Sequence, residues 1–166
     1  VNPDFTAPEG ELPPLIVNVH GGPTEAARPG LQVPFQYWTS RGFAVLDVNF
    51  RGSTSFGRPY RQRLNGNWGV MDVQDCIDGA QYLVDLGRVD PKRIAIRGRS
   101  SGGFTVLNAL ASSDVFTAGA SFSGIADLAK LAETSHKFES HYDGILLGTD
   151  DRSDPVWAQR SPINRV

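Results

Sequence analysis

The sequence is poor in cysteine: Cys76 is alone among 166 residues. No internal disulfide can form, which suits a reducing compartment. No apolar run approaches the roughly 18 residues that a membrane span needs, and no basic-then-apolar leader opens the chain. Charge of one sign is missing too, with 18 acidic against 16 basic residues and a net charge of -2. Neither nucleic acid nor an anionic membrane surface is therefore expected as a partner. The three histidines, His20, His136 and His141, are scattered. The acidic stretch 150–155 lacks the glycine and the distant glutamate of a calcium loop. No metal and no cofactor is expected, and a cytoplasmic location fits these absences. Repeats and low-complexity tracts are absent as well.

What is present is an ordinary globular balance, 40% hydrophobic and 20% charged, in a length that suits one core. Residues 1–14 read as an extended lead-in. Leu15 to Val19 is a β-branched run, too short for a helix, stopped by His20-Gly21-Gly22-Pro23. A helix over 34–41 closes at Gly42, and a strand follows over 43–48. Residues 51–70 form a long structured loop. From Asp72, the residues Val73, Cys76, Ile77, Ala80, Leu83 and Val84 share one helical face. Asp72 can cap that helix, and Asp75 suits its first turn. Residues 93–97 make a third strand, 102–111 a helix, 118–122 a fourth strand, and 125–146 are mostly helical. Alternating strands and helices predict an α/β fold, a parallel sheet with helices on both faces. Working residues then gather at the C-terminal ends of the strands.

Two glycine-rich turns sit at such ends. The second reads Gly98-Arg99-Ser100-Ser101-Gly102-Gly103, a G-x-S-x-G sequence between a strand and a helix. A nucleophile elbow requires this context. The glycines remove side chains that would strike the neighbouring strand, so Ser100 is lifted into the open. The helix N-terminus beneath it favours developing negative charge. Ser100 is the candidate nucleophile, and the Ser101 N–H is one candidate oxyanion donor. Ser101 itself is the poorer nucleophile, because Arg99 would take the first glycine's place. A plain β–α turn with an exposed serine is the bland alternative. A dinucleotide fingerprint is excluded by Ser100 at its second glycine, and a P-loop by the missing lysine. In the earlier turn, Gly22 N–H is the candidate second donor. His20 is read as an organiser of that loop.

These residues resemble the prolyl oligopeptidase family. The likeness also includes Asn49-Phe50-Arg51-Gly52-Ser53 with Phe56-Gly57, and Trp68-Gly69 with Asp72 and Asp75. It runs from about residue 12 to residue 164, and His-Gly-Gly-Pro looks more like the acylaminoacyl-peptidase and aminopeptidase branch. The resemblance implies part of an α/β-hydrolase catalytic domain whose serine attacks peptide bonds of short peptides. It implies a propeller and a C-terminal catalytic segment as further parts of the protein. Phe138 and Tyr142 match aromatic positions that hold substrate in the family; the alternative is that they are the buried face of a helix. Arg51, Trp68, Asp72 and Asp75 read as structural.

A serine hydrolase also needs a base and an acid, in the order serine, acid, histidine in this fold. The family's acid and histidine lie beyond the Ser161–Val166 segment, so these 166 residues alone are expected to turn over little substrate. Asp127 with His136 or His141 is a local substitute, although both histidines also read as exposed helix residues. An unpaired edge at the fourth strand would invite the missing segment or a second copy. Competing functions are a carboxylesterase or lipase on the same fold, and an inactive hydrolase-like binding module.

Overall fold

The computed structural model describes residues 7–134 and 141–165. Four strands form one sheet: β1 (Leu15–Val19), β2 (Ala44–Val48), β3 (Ile94–Arg99) and β4 (Ala118–Phe122). Every pairing is parallel, and the order across the sheet is β2-β1-β3-β4. β1 is central, and its apolar run Leu15–Val17 is buried on both faces, as expected of an inner parallel strand.

Seven helices are described: α1 (Val33–Thr39), α2 (Arg58–Gln62), α3 (Met71–Asp85), α4 (Ser101–Ser112), α5 (Leu128–Thr134), α6 (Tyr142–Leu147) and α7 (Pro155–Arg160). Right-handed crossovers place α1 on one face of the sheet and α3 and α4 on the other. α3 and α4 pack against each other there. Val73, Cys76 and Ala80 of α3 are buried, on the face their spacing defines. Phe104, Val106 and Ala109 of α4 complete that layer. Burial pushes the Cys76 thiol well up, so it packs as a neutral apolar group.

The chain runs from β1 outward to β2, then crosses back over β1 to reach β3. Connections therefore leave β1 and β3 in opposite directions, which opens a crevice at their C-terminal ends. The two glycine turns flank this crevice.

Several boundaries differ from the sequence reading. α1 begins at Val33, with proline in its first turn, where the missing N–H costs nothing. Gly42 follows at φ 85°. The loop 51–70 contains α2, which starts beyond Gly57. α3 begins at Met71, with Val70 at the cap position and no side-chain cap there. Within 125–146, the described residues include the two short helices α5 and α6. β4 is exposed along all five residues, with Phe122 49% accessible, so this edge of the sheet is open.

Candidate active site

Ser100 joins β3 to α4 at φ 55° and ψ -121°. This backbone conformation costs an L-residue about 1–3 kcal/mol, so the surroundings must enforce it. They do so through two hydrogen bonds. Ser100 N–H donates to Phe122 O at 2.9 Å, and Phe104 N–H donates to Ser100 O at 3.1 Å. Close packing of backbone on backbone adds to this. A Cβ at Gly98 would meet Gly102 C and O at 2.5 Å, and a Cβ at Gly102 would strike Val19 O and His20 O. Ser100 is exposed, whereas Ser101 is 2% accessible. The turn thus offers one serine and buries the other. Ser101 is the first residue of α4, so its N–H has no acceptor within the helix.

The β1 turn lies directly against this elbow: a Cβ at Gly21 would come 3.1 Å from Arg99 O. Gly22 follows at φ 115°, and the Gly22–Pro23 peptide is cis. His20 fastens the turn. Its Nδ1 bonds Gly21 O at 2.7 Å, and its Nε2 lies 2.8 Å from Ser53 Oγ. A carbonyl can only accept, so Nδ1 carries the proton and Nε2 accepts from the Ser53 hydroxyl. The ring stacks on Phe50 at 4.4 Å. Burial pushes His20 below the ordinary histidine value, against a raising hydrogen bond to Gly21. It is a neutral strut within the loop, as its reading as an organiser requires.

Phe50 and Ser53 are in turn held by α3. Arg51 Nη2 lies 2.6 Å from Asp75 Oδ1, and Arg51 backbone N–H donates to Asp75 Oδ2 at 2.6 Å. Asp75 is therefore a loop anchor rather than a group serving the helix terminus. Tyr60 donates to Asn49 O, and Asn49 Oδ1 accepts from Ala27 N–H.

A second carboxylate of α3 serves the elbow. Asp72 is fully buried. Its Oδ1 accepts from Gly69 N–H at 2.7 Å and its Oδ2 from Thr105 Oγ1 at 2.5 Å. Trp68, beside Gly69, donates its indole N–H to Ser101 Oγ at 3.2 Å and packs on Phe104 at 4.4 Å. Burial pushes Asp72 up to about 6, although its hydrogen bonds, the one from Thr105 first, pull it down. The unfolded chain ionises near the model-peptide value, so ionising Asp72 costs folding free energy above pH 6. That cost shrinks as pH falls from 6 toward 4. Between pH 7 and pH 5, wild type should gain about 1 kcal/mol of stability relative to Asp72→Asn. Urea unfolding of both at the two pH values measures this difference; a constant difference would contradict it.

A cavity of about 120 Å³ opens beside Ser100, lined by Gly22, Pro23, Trp68, Ser101, Ile125, Leu131, Tyr142 and Asp143. It brings together four of the five predicted site residues: Ser100, Ser101, Gly22 and Tyr142. Phe138, the fifth, lies outside the described residues. Tyr142 is half-buried and packs against the core. Its hydroxyl lies 2.7 Å from Thr24 Oγ1, bridging α6 to the β1 turn. Sequence reasoning missed Asp143, a buried acid in this wall. Nothing in the string Tyr-Asp-Gly-Ile-Leu-Leu separates a buried carboxylate from a solvated one.

Asp127 and His141 find no such support. Asp127 Oδ1 accepts from Ala129 N–H and Lys130 N–H, capping α5. His141 is exposed and lies 3.4 Å from Asp150, outside the Ser100 cavity. His136 lies outside the described residues. Among the described residues, no group of three or more metal-ligating side chains is found, and no helix is long and apolar enough to cross a membrane.

A parallel sheet with helices on both faces and an exposed serine on a strained strand-to-helix turn defines an α/β-hydrolase type of fold. Residues 29–166 match the Prolyl oligopeptidase family, and the chain belongs to that family. It is 35% identical over 159 residues to dipeptidyl aminopeptidase BIII of Pseudoxanthomonas mexicana, covering 92% of this chain and 23% of that protein. It is 32% identical over 123 residues to an acylamino-acid-releasing enzyme of Arabidopsis thaliana, covering 74% and 16%. Among solved structures, a puromycin-hydrolyzing peptidase of Mycobacterium tuberculosis superposes with a TM-score of 0.96 at 51% identity, over 99% of this chain and 25% of that one. Pyrococcus horikoshii acylaminoacyl peptidase gives 0.87 at 30% identity, over 95% and 26%. The chain thus spans about a quarter or less of the length of these relatives.

Proposed function

We propose that this chain is the nucleophile-bearing part of a serine peptidase that cleaves short peptides through an acyl-enzyme on Ser100. The observation that carries the reading is the exposure of Ser100 at φ 55° beside the Gly21–Gly22 turn. Ser100 Oγ attacks the scissile carbonyl carbon and passes its proton to a general base. The carbonyl oxygen becomes an oxyanion that accepts hydrogen bonds from Gly22 N–H and Ser101 N–H. Collapse expels the amine, which takes the proton from the base. Water then attacks the acyl ester and frees Ser100. Base and acid are assigned, as the family resemblance implies, to chain outside these 166 residues, and neither His20 nor His141 lines the Ser100 cavity. The 166 residues alone then retain only weak turnover.

The small cavity walled by Ile125, Leu131, Tyr142 and Trp68 receives the side chain of the acyl residue. The apolar part of its wall, Ile125, Leu131 and Trp68, favours a proline ring or a short aliphatic group. Puromycin is a sensible trial substrate, given what the Mycobacterium tuberculosis relative is called. The open β4 edge takes up the remaining part of the protein or, in its absence, a second copy.

The test compares aminoacyl anilides with p-nitrophenyl esters on the full-length protein, after labelling with a fluorophosphonate. Stoichiometric labelling of Ser100 with efficient anilide hydrolysis is expected. Ester hydrolysis without anilide turnover would make it a carboxylesterase, and absence of labelling would make it a binding module.

A further inference from the structure

The two turns that would bind the oxyanion are separate in sequence, yet both are fastened to the same helix. Asp75 reaches the loop after β2 through Arg51. That loop holds His20 by stacking on Phe50 and by the Ser53 hydroxyl, and His20 binds the carbonyl of Gly21. Asp72 lies one turn earlier on α3 and takes different partners. It holds Thr105, one turn below Ser101 in α4, and it holds Gly69, which places Trp68 against Ser101 Oγ. Thr105 Oγ1 also lies 3.2 Å from Ser101 O. Burying a carboxylate is costly unless its acceptors are used. A neutral residue could fill the site of Asp72 at less expense in solvation.

We propose that Asp72 and Asp75 are positioning residues that together set the spacing between the Gly22 and Ser101 N–H donors, Asp72 acting through Thr105 and Trp68, Asp75 through Arg51 and His20. Neither touches substrate. The inference deepens the peptidase reading and rests on it for its kinetic consequence.

Oxyanion donors act in the transition state, so misplacing one lowers kcat and leaves KM nearly unchanged. In the full-length protein, Thr105→Val removes the hydroxyl that links Asp72 to α4 while keeping the shape. Thr105→Ser keeps the hydroxyl. Arg51→Met cuts the other arm. We expect Thr105→Val and Arg51→Met each to lower kcat on an aminoacyl anilide by about 10- to 100-fold, with KM within about twofold. Thr105→Ser should recover to within about threefold of wild type. A merely structural role would lower the melting temperature without this split and would not distinguish serine from valine.

Hydrogen exchange supplies a readout that needs no turnover. Amide exchange in the peptide spanning 100–105 should quicken at least about tenfold in Thr105→Val and stay unchanged in Thr105→Ser. Wild-type kcat in folded Thr105→Val, or unchanged exchange at the elbow, would overturn the proposal. If the wild type itself hydrolyses no amide, the peptidase reading fails, and the exchange result alone decides whether α3 positions the elbow.

Discussion

Ser100→Ala in the full-length protein is expected to lower kcat on peptide amides by about six orders of magnitude while leaving the fold intact. The size follows from the role. Without Oγ no acyl-enzyme can form, and only binding and the oxyanion site remain; these give a residual effect of roughly 10³ over water. The fold should survive because the backbone carries the turn. Both the Ser100 N–H bond to Phe122 O and the Phe104 N–H bond to Ser100 O are main-chain bonds, which alanine keeps. Alanine also tolerates φ 55° no worse than serine does, so the strain is unchanged. Steady-state rates with a matched circular-dichroism melt check the pair of claims. Residual turnover within tenfold of wild type would dismiss Ser100 as nucleophile.

Gly102→Ala is expected to damage stability and activity together. The added Cβ would meet Val19 O and His20 O, main-chain atoms of a central strand and of the turn that follows it. A flexible side chain could swing away; these atoms cannot. Either β1 parts from the elbow or α4 shifts, and overpacking of this kind costs about 3 kcal/mol or more. Both candidate donors would move with it, because Gly22 follows His20 and Ser101 precedes Gly102. Gly30 is the natural control, since a Cβ there meets nothing within 4 Å. Gly30→Ala should stay within about 0.5 kcal/mol of wild type. Denaturant midpoints for the two variants decide the matter; equal midpoints would mean that the tight packing at Gly102 is not limiting.

Much of the site was legible because its constraints are local. A serine between glycines at a strand end makes sense only if those glycines let other backbone come close, and Gly98 and Gly102 do so. Leu15–Val19 had to be a short buried strand, being too brief and too β-branched for a helix. Asp72 and Asp75 were legible as structural residues. Their reading as helix-terminus groups was incomplete, because the loop and helix each one faces are set by distant chain. The short helix α2 was hidden within the loop 51–70, since five residues carry no periodicity of their own.

The sequence by itself determined the kinds of element, the two turns and the residue offered at the elbow, because sterics and side-chain spacing act over a few residues. Only the tertiary structure decided which of these meet. The placement of β3 beside β1 rather than β2 brings the two turns to one crevice. Tyr142 reaches Thr24 across 118 residues, and Thr105 reaches Asp72 across 33. Such contacts depend on how layers pack and which buried groups must find partners, and no local pattern encodes that.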